Sequence, residues 1–231
     1  MPAELILALD VPDSAAIGPI VDALPQAVRF YKVGLELFCA DGPAALEPLK
    51  ARSRSIFLDL KLHDIPRTVA RSVTSACRHG VSLLTVHAAG GREMLKAAAA
   101  AAREAGPGRP RLVAVTTLTS LDQSDLADLG VQRSVAEHTL ALGRMAIECG
   151  IDGLVCSPLE IEIFRRELGP QPILVTPGIR PSGGELGDQK RVATPGAAVR
   201  AGASYLVVGR PVLDAPHPAA AAAAILAEMA G

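Results

Sequence analysis

The sequence predicts an α/β fold, a single (β/α)8 TIM barrel spanning residues 1–231, on three observations. Short runs rich in Val, Ile and Leu alternate with longer Ala-, Leu- and Arg-rich stretches from end to end. Continuous apolar strands bounded by polar residues suit a parallel sheet covered on both faces. Eight such units in 231 residues average about 29 each, the size of a βα repeat. A doubly wound open sheet is the alternative, but no G-x-G-x-x-G follows the first strand to support it.

Taken in order, the strands are expected over residues 5–10, 30–34, 56–61, 83–87, 112–117, 153–157, 173–176 and 205–208. Helical patterns fall between them at 13–23, 43–51, 68–79, 93–105, 134–149, 159–168, 195–201 and 218–229. The alanine tract at 97–102 reads as mid-helix, because Ala has the best helix propensity. Asp122, Asp125 and Asp128 read as a solvated helix start. Residues 177–189 carry Gly and Pro that break both periods, and are expected to form a long mobile loop after strand seven, of the kind that serves as a lid. No composition break marks a domain boundary.

Composition narrows the function classes. Apolar residues make up 49% of the chain and charged residues 20%, with 23 basic against 24 acidic side chains. That balance argues against a nucleic-acid or anionic-membrane binder, which carries a basic face. A chain of this length buries roughly 70% of its unfolded surface, so no disulfide or metal staple is required. The four cysteines show no metal or C-x-x-C spacing, no basic leader opens the chain, and no apolar run is long enough to span a bilayer. A cytoplasmic protein is expected. Arginine outnumbers lysine 18 to five, so a Lys at an apolar strand end hints that a compact, deprotonatable ammonium is wanted there.

In such a barrel, reacting groups sit at the C-terminal strand ends. Those ends read Asp10, Lys32, Asp59 with Lys61, His87, Thr117 with Thr119, Ser157, Pro177 with Arg180, and Gly209 with Arg210. Residues two apart on a strand share a face, so Asp59 and Lys61 point together while Leu58, Leu60 and Leu62 point away. A paired Asp–Lys is also compatible with a purely structural ion pair. His87 is expected to be a hydrogen-bonded structural residue, and His63 a supporting residue turned from Lys61. No H-E-x-x-H and no phosphate-binding P-loop is present, so no metal site is expected.

Asp59-x-Lys61-x-x-Asp64-Ile65-Pro66, preceded one strand earlier by Tyr31-Lys32-Val33-Gly34, resembles the active-site signature of the orotidine 5'-phosphate decarboxylase family. The likeness runs through nearly the whole chain. It takes in Leu9-Asp10-Val11, Val86-His87-Ala88-Ala89-Gly90-Gly91 and Thr116-Thr117-Leu118-Thr119-Ser120. It continues in Val175-Thr176-Pro177-Gly178-Ile179-Arg180, in Gly187-Asp188-Gln189-Lys190-Arg191 and in Val208-Gly209-Arg210-Pro211. Two departures, Thr85 and Ala89 where Asn and often Ser are expected, fall beside His87 rather than in the charged cluster.

The resemblance implies cofactor-free decarboxylation of orotidine 5'-phosphate to uridine 5'-phosphate, the last step of de novo pyrimidine nucleotide synthesis. Lys61 would be the proton donor. Asp59, Lys32 and an Asp64 from the partner subunit of a homodimer would complete an alternating charge network. Asp10 would hold the ribose, Thr68 would reach it across the dimer, and Thr119 would hold the pyrimidine, with Ile65 and Pro177 also against substrate. Gln189, Arg180, Gly209 and Arg210 would grip the phosphate, as loops seven and eight do in such barrels. Three other readings compete: a Mg2+-dependent sugar-phosphate decarboxylase or aldolase of the same barrel type, a catalytically dead phosphate-binding barrel, and a plain structural protein.

Overall fold

The computed structural model describes residues 2–181 and 192–231. Eight strands alternate with helices: β1 (Glu4–Ala8), β2 (Phe30–Gly34), β3 (Ser55–Leu62), β4 (Leu83–His87), β5 (Arg111–Val115), β6 (Gly153–Val155), β7 (Ile173–Thr176) and β8 (Tyr205–Val208). Each is parallel to its neighbours in sequence order, and β8 returns to β1 with Glu4 opposite Tyr205 and Leu7 opposite Val208, which closes the barrel. The predicted fold class is the one observed.

The helices are α1 (Ile17–Ala23), α2 (Leu35–Asp41), α3 (Glu47–Lys50), α4 (Pro66–Cys77), α5 (Gly91–Glu104), α6 (Gln123–Asp128), α7 (Val135–Glu148), α8 (Ile161–Leu168), α9 (Pro195–Ala201), α10 (Arg210–Leu213) and α11 (Pro218–Ala230). Local chemistry sets their starts. Ser134 and Glu137 form a reciprocal capping box before α7, and Asp122 and Asp125 form another before α6. Pro66 opens α4 at a position whose N–H has no helical partner anyway. The expected helix at 43–51 is instead a 3₁₀ turn followed by the short α3, and α2 lies upstream of it. The reason is Gly42-Pro43: Gly42 takes φ +58 to end α2, so this pair punctuates two helices rather than opening one.

Strand alternation sorts side chains into two cores. Leu5, Leu7, Leu9, Leu58, Leu84, Leu112 and Leu174 face outward into the helix layer, while Ile6, Ala8, Phe30, Phe57, Leu83, Val113, Val175 and Val207 fill the barrel interior. At the N-terminal rim, Asp152 ties β5 to β6. It accepts two bonds from Arg109 at 2.7 Å each and one from the Leu112 N–H at 2.7 Å. Burial disfavours the ionised carboxyl there, but those donors still hold Asp152 below the usual carboxylate range. No described helix is long and apolar enough to cross a membrane.

Candidate active site

Six interior columns of the barrel, those of β1, β2, β3, β5, β7 and β8, end in a candidate functional group two residues beyond an apolar one. Ala8 leads to Asp10, Phe30 to Lys32, Phe57 to Asp59 and then Lys61, Val115 to Thr117, Val175 to Pro177 and Val207 to Gly209. The period of two that buries the lower residue aims the upper one at the mouth. There a cavity of 240 Å³ is lined by Lys32, Phe57, Asp59, Lys61, Val115, Thr117, Leu118, Thr119, Val155, Cys156, Pro177 and Val207.

The charged groups form a chain across its floor. Lys61 Nζ donates to Asp59 Oδ2 at 2.8 Å, Lys32 Nζ stands 3.9 Å from the same oxygen, and Lys32 donates to Asp10 Oδ1 at 3.1 Å. A Cβ at Gly209 would stand 3.2 Å from Asp10 Oδ2, so the β8 turn abuts the far end of the row. Asp59 is 8% exposed and is flanked by lysines from two strands. Alternating sign along the row lets four charges sit at one mouth without net repulsion. Of the four described lysines, Lys50 and Lys96 make surface pairs with Glu47 and Glu93, and the two at strand ends make this row.

Asp64 stands apart from it. Its Oδ1 accepts from the Ile65 N–H at 2.6 Å, and 63–68 form an exposed strip in which Ile65 is 66% exposed. Thr68 is exposed on α4 and gives its carbonyl to Ser72. Arg180 is anchored through its backbone, donating its N–H to the Ala193 carbonyl at 3.0 Å beside the Ile179–Ala193 bridge. Arg210 follows Gly209 at the start of α10 and is exposed. Gln189, and with it most of the expected loop at 177–189, lies outside the described residues.

Three expectations change. Thr85 does not merely adjoin His87: its hydroxyl accepts from the Lys61 N–H at 2.7 Å and donates to Asp59 Oδ1 at 3.0 Å, inside the charged cluster. The cause is a break in the β3–β4 register between Leu58 and Leu62, where Lys61 takes φ +48. His63 lies beyond the end of β3, where strand parity no longer applies, and its ring stacks on His87 with centroids 5.1 Å apart. Ser157 turns from the mouth to cap a 3₁₀ turn in a box with Glu160. His87 also caps, its Nδ1 accepting from the Ala89 N–H. Burial, then the neighbouring His63 and Lys61, hold the His87 imidazole below the ordinary histidine value. Thr117, missed as a paired group, accepts from the buried Thr139 hydroxyl of α7 at 2.7 Å. Strand parity one layer below His87 was the signal available for Thr85. Among the described residues, no group of three or more His, Cys, Asp or Glu side chains could hold a metal ion.

Residues 3–225 match the Orotidine 5'-phosphate decarboxylase / HUMPS family. The chain belongs to this family. It is 52% identical to the orotidine 5'-phosphate decarboxylase of Moorella thermoacetica, over 98% of this chain and 92% of that one. It is 53% identical to the orotidine 5'-phosphate decarboxylase of Anaeromyxobacter sp., over 98% of each. A crystal structure of orotidine 5'-phosphate decarboxylase from Lactobacillus acidophilus superposes with a TM-score of 0.88 at 38% identity, covering 99% of this chain and 100% of that one. The resemblance of the strand-end motifs to this decarboxylase family is therefore a resemblance of the whole barrel.

Proposed function

We propose that this chain, acting as one barrel domain in the cytoplasm, decarboxylates orotidine 5'-phosphate to uridine 5'-phosphate. The observation that carries the reading is the Asp10–Lys32–Asp59–Lys61 row at the mouth of a family member whose full-length relatives bear that activity in their names.

The chemistry follows from the row. Breaking the C6–carboxylate bond releases CO2 and leaves an electron pair in the plane of the ring, where the π system absorbs it poorly. Most decarboxylases borrow a cofactor as electron sink. Here fixed charge takes that part. An ammonium about 4 Å from the developing carbanion is worth roughly 4 kcal/mol at an effective dielectric of 20. Asp59 beside the substrate carboxylate repels it by a similar order, and the repulsion ends as neutral CO2 departs. Lys61 then gives its proton to C6, and solvent restores the ammonium. Lys32, held between Asp59 and Asp10, keeps the Asp59 charge in place.

Asp10 and Thr119 would orient ribose and pyrimidine, with Pro177 against the base. Arg180, Gln189, Gly209 and Arg210 would bind phosphate, so that remote binding energy drives the orotate ring onto the row. Asp64, Ile65 and Thr68 would enter the site of a second copy in a homodimer. Their exposure on one strip, and the separation of Asp64 from its own chain's row, support that assignment.

The test is loss of orotidine 5'-phosphate absorbance on incubation with the purified chain. Turnover is expected with and without a chelator, and Lys61→Ala is expected to abolish it while folding and uridine 5'-phosphate binding persist. Near-wild-type turnover by that variant ends the proposal, and activity lost to the chelator moves the reading to the Mg2+-dependent relatives.

A further inference from the structure

Regular pairing of β3 with β4 stops at Leu58 opposite Leu84 and resumes at Leu62 opposite Val86, so residues 59–61 are met by Thr85 alone. Within that bulge Lys61 adopts φ +48, a left-handed conformation unusual for a residue with a side chain. Its part-buried N–H turns to a side-chain acceptor on the neighbouring strand. Thr85, 0% exposed, supplies it through Oγ1 at 2.7 Å. The same oxygen lies 3.0 Å from Asp59 Oδ1. A backbone N–H can only donate and a carboxylate can only accept, so the single hydroxyl proton has one place to go. The relay therefore runs Lys61 N–H to Thr85 Oγ1, and Thr85 O–H to Asp59 Oδ1. With Oδ1 tied there, Oδ2 is the oxygen that faces the Lys61 ammonium at 2.8 Å.

We infer that Thr85 is a positioning residue for the decarboxylation proposed above. One hydroxyl sets both the rotation of the Asp59 carboxylate and the backbone bulge that aims Lys61. The inference rests on the proposed reaction for its kinetic consequence, but its geometric content stands without it. Leu84 and Val86, on either side, point outward into the helix layer, so no other β4 side chain next to Thr85 reaches the pair.

The experiment compares Thr85→Ser, Thr85→Val and Thr85→Ala with the wild type in kcat, KM, uridine 5'-phosphate affinity and circular dichroism. A displacement of about 1 Å at reacting groups can cost on the order of 100-fold. Thr85→Val, isosteric without the hydroxyl, and Thr85→Ala are expected to lose about 10–100-fold in kcat. KM and product affinity should change little. Thr85→Ser, which keeps the hydroxyl, should retain most of the rate. Should Thr85→Val fail to fold, the Ala and Ser pair decides on the same criterion. A hydroxyl-free variant with wild-type kcat, or a Ser variant as impaired as Ala, overturns the inference. Absent turnover in the wild type defeats the proposed reaction instead. In that case a crystal structure of Thr85→Ala still decides the geometry: Asp59 rotated and Lys61 out of its bulge supports the role, and an unchanged arrangement overturns it.

Discussion

Gly34→Ala tests the charge row by moving one cation without removing it. Gly34 closes β2 with φ −97 and ψ −173, a conformation open to alanine, so the backbone raises no objection. The added Cβ would stand 2.8 Å from Lys32 Nζ and 3.8 Å from Asp10 Oδ1. Ordinary contact needs about 3.6 Å, so the ammonium must retreat by roughly 0.8 Å. At an effective dielectric of 20, lengthening its separations from Asp10 (3.1 Å) and Asp59 (3.9 Å) by that amount weakens them by about 1.1 and 0.7 kcal/mol. Water beside the half-exposed Asp10 screens the first figure, so the range is about 0.7–1.8 kcal/mol. If that loss falls on the transition state, kcat/KM drops by about 3- to 20-fold. Stability should fall by no more than about 1.8 kcal/mol, the same weakening taken in the folded ground state. Alanine narrows the unfolded ensemble, and the poorer helix cap it offers α2 offsets the gain. The assay is kcat/KM from absorbance, alongside urea unfolding of the same preparation. Unchanged kcat/KM in a folded variant would refute the placement of Lys32, and a stability loss above 2 kcal/mol would refute the claim that only a flexible side-chain end is disturbed.

Three further outcomes are expected. Lys61→Ala and Asp64→Ala, each nearly inactive, should regain about a quarter of wild-type sites when unfolded and refolded together, because half the dimers are hybrids with one intact site each; hybrids that form without recovered activity would sink the shared-site assignment. His87→Gln should flatten the fall of stability in acid. A histidine with a lowered folded pKa leaves the unfolded chain holding the extra proton below about 6.5, so wild-type stability declines as pH drops through that value, and identical pH–stability curves for variant and wild type would contradict this. Asp152→Ala strands the Arg109 guanidinium and the Leu112 N–H, and should cost about 2–3 kcal/mol, read as a Tm lower by about 5–10 °C with activity per folded molecule intact. The native Asp152 contribution is present above the unfolded carboxyl pKa of about 3.9 and is lost as pH falls through its depressed folded value.

Much of the site was legible in one dimension because a barrel strand is a simple ruler. Once the runs at 30–34 and 56–61 are read as strands, period two alone puts Lys32 above Phe30, and Asp59 with Lys61 above Phe57. The helix boundaries were legible where a side chain performs the capping, as at Ser134, and misread at Gly42-Pro43, where a stop and a start share adjacent residues. Asp64 and Thr68 show the opposite limit. Nothing in their spacing carries a role in substrate binding, and one chain leaves both on its surface.

Sequence by itself determined the barrel, the rim that bears the chemistry and the identity of the charged groups there, since each depends on periodicity and side-chain type. Only the tertiary structure decided how those charges are aimed. The β3–β4 register break is a property of two strands at once: where the regular pairing stops, a buried hydroxyl on the neighbouring strand receives the Lys61 N–H. A threonine read along its own strand is one more β-branched residue. Set opposite the bulge, it becomes the hinge between a backbone donor and a carboxylate. The pairing of residues 24 and 26 apart along the chain is what no local pattern encodes.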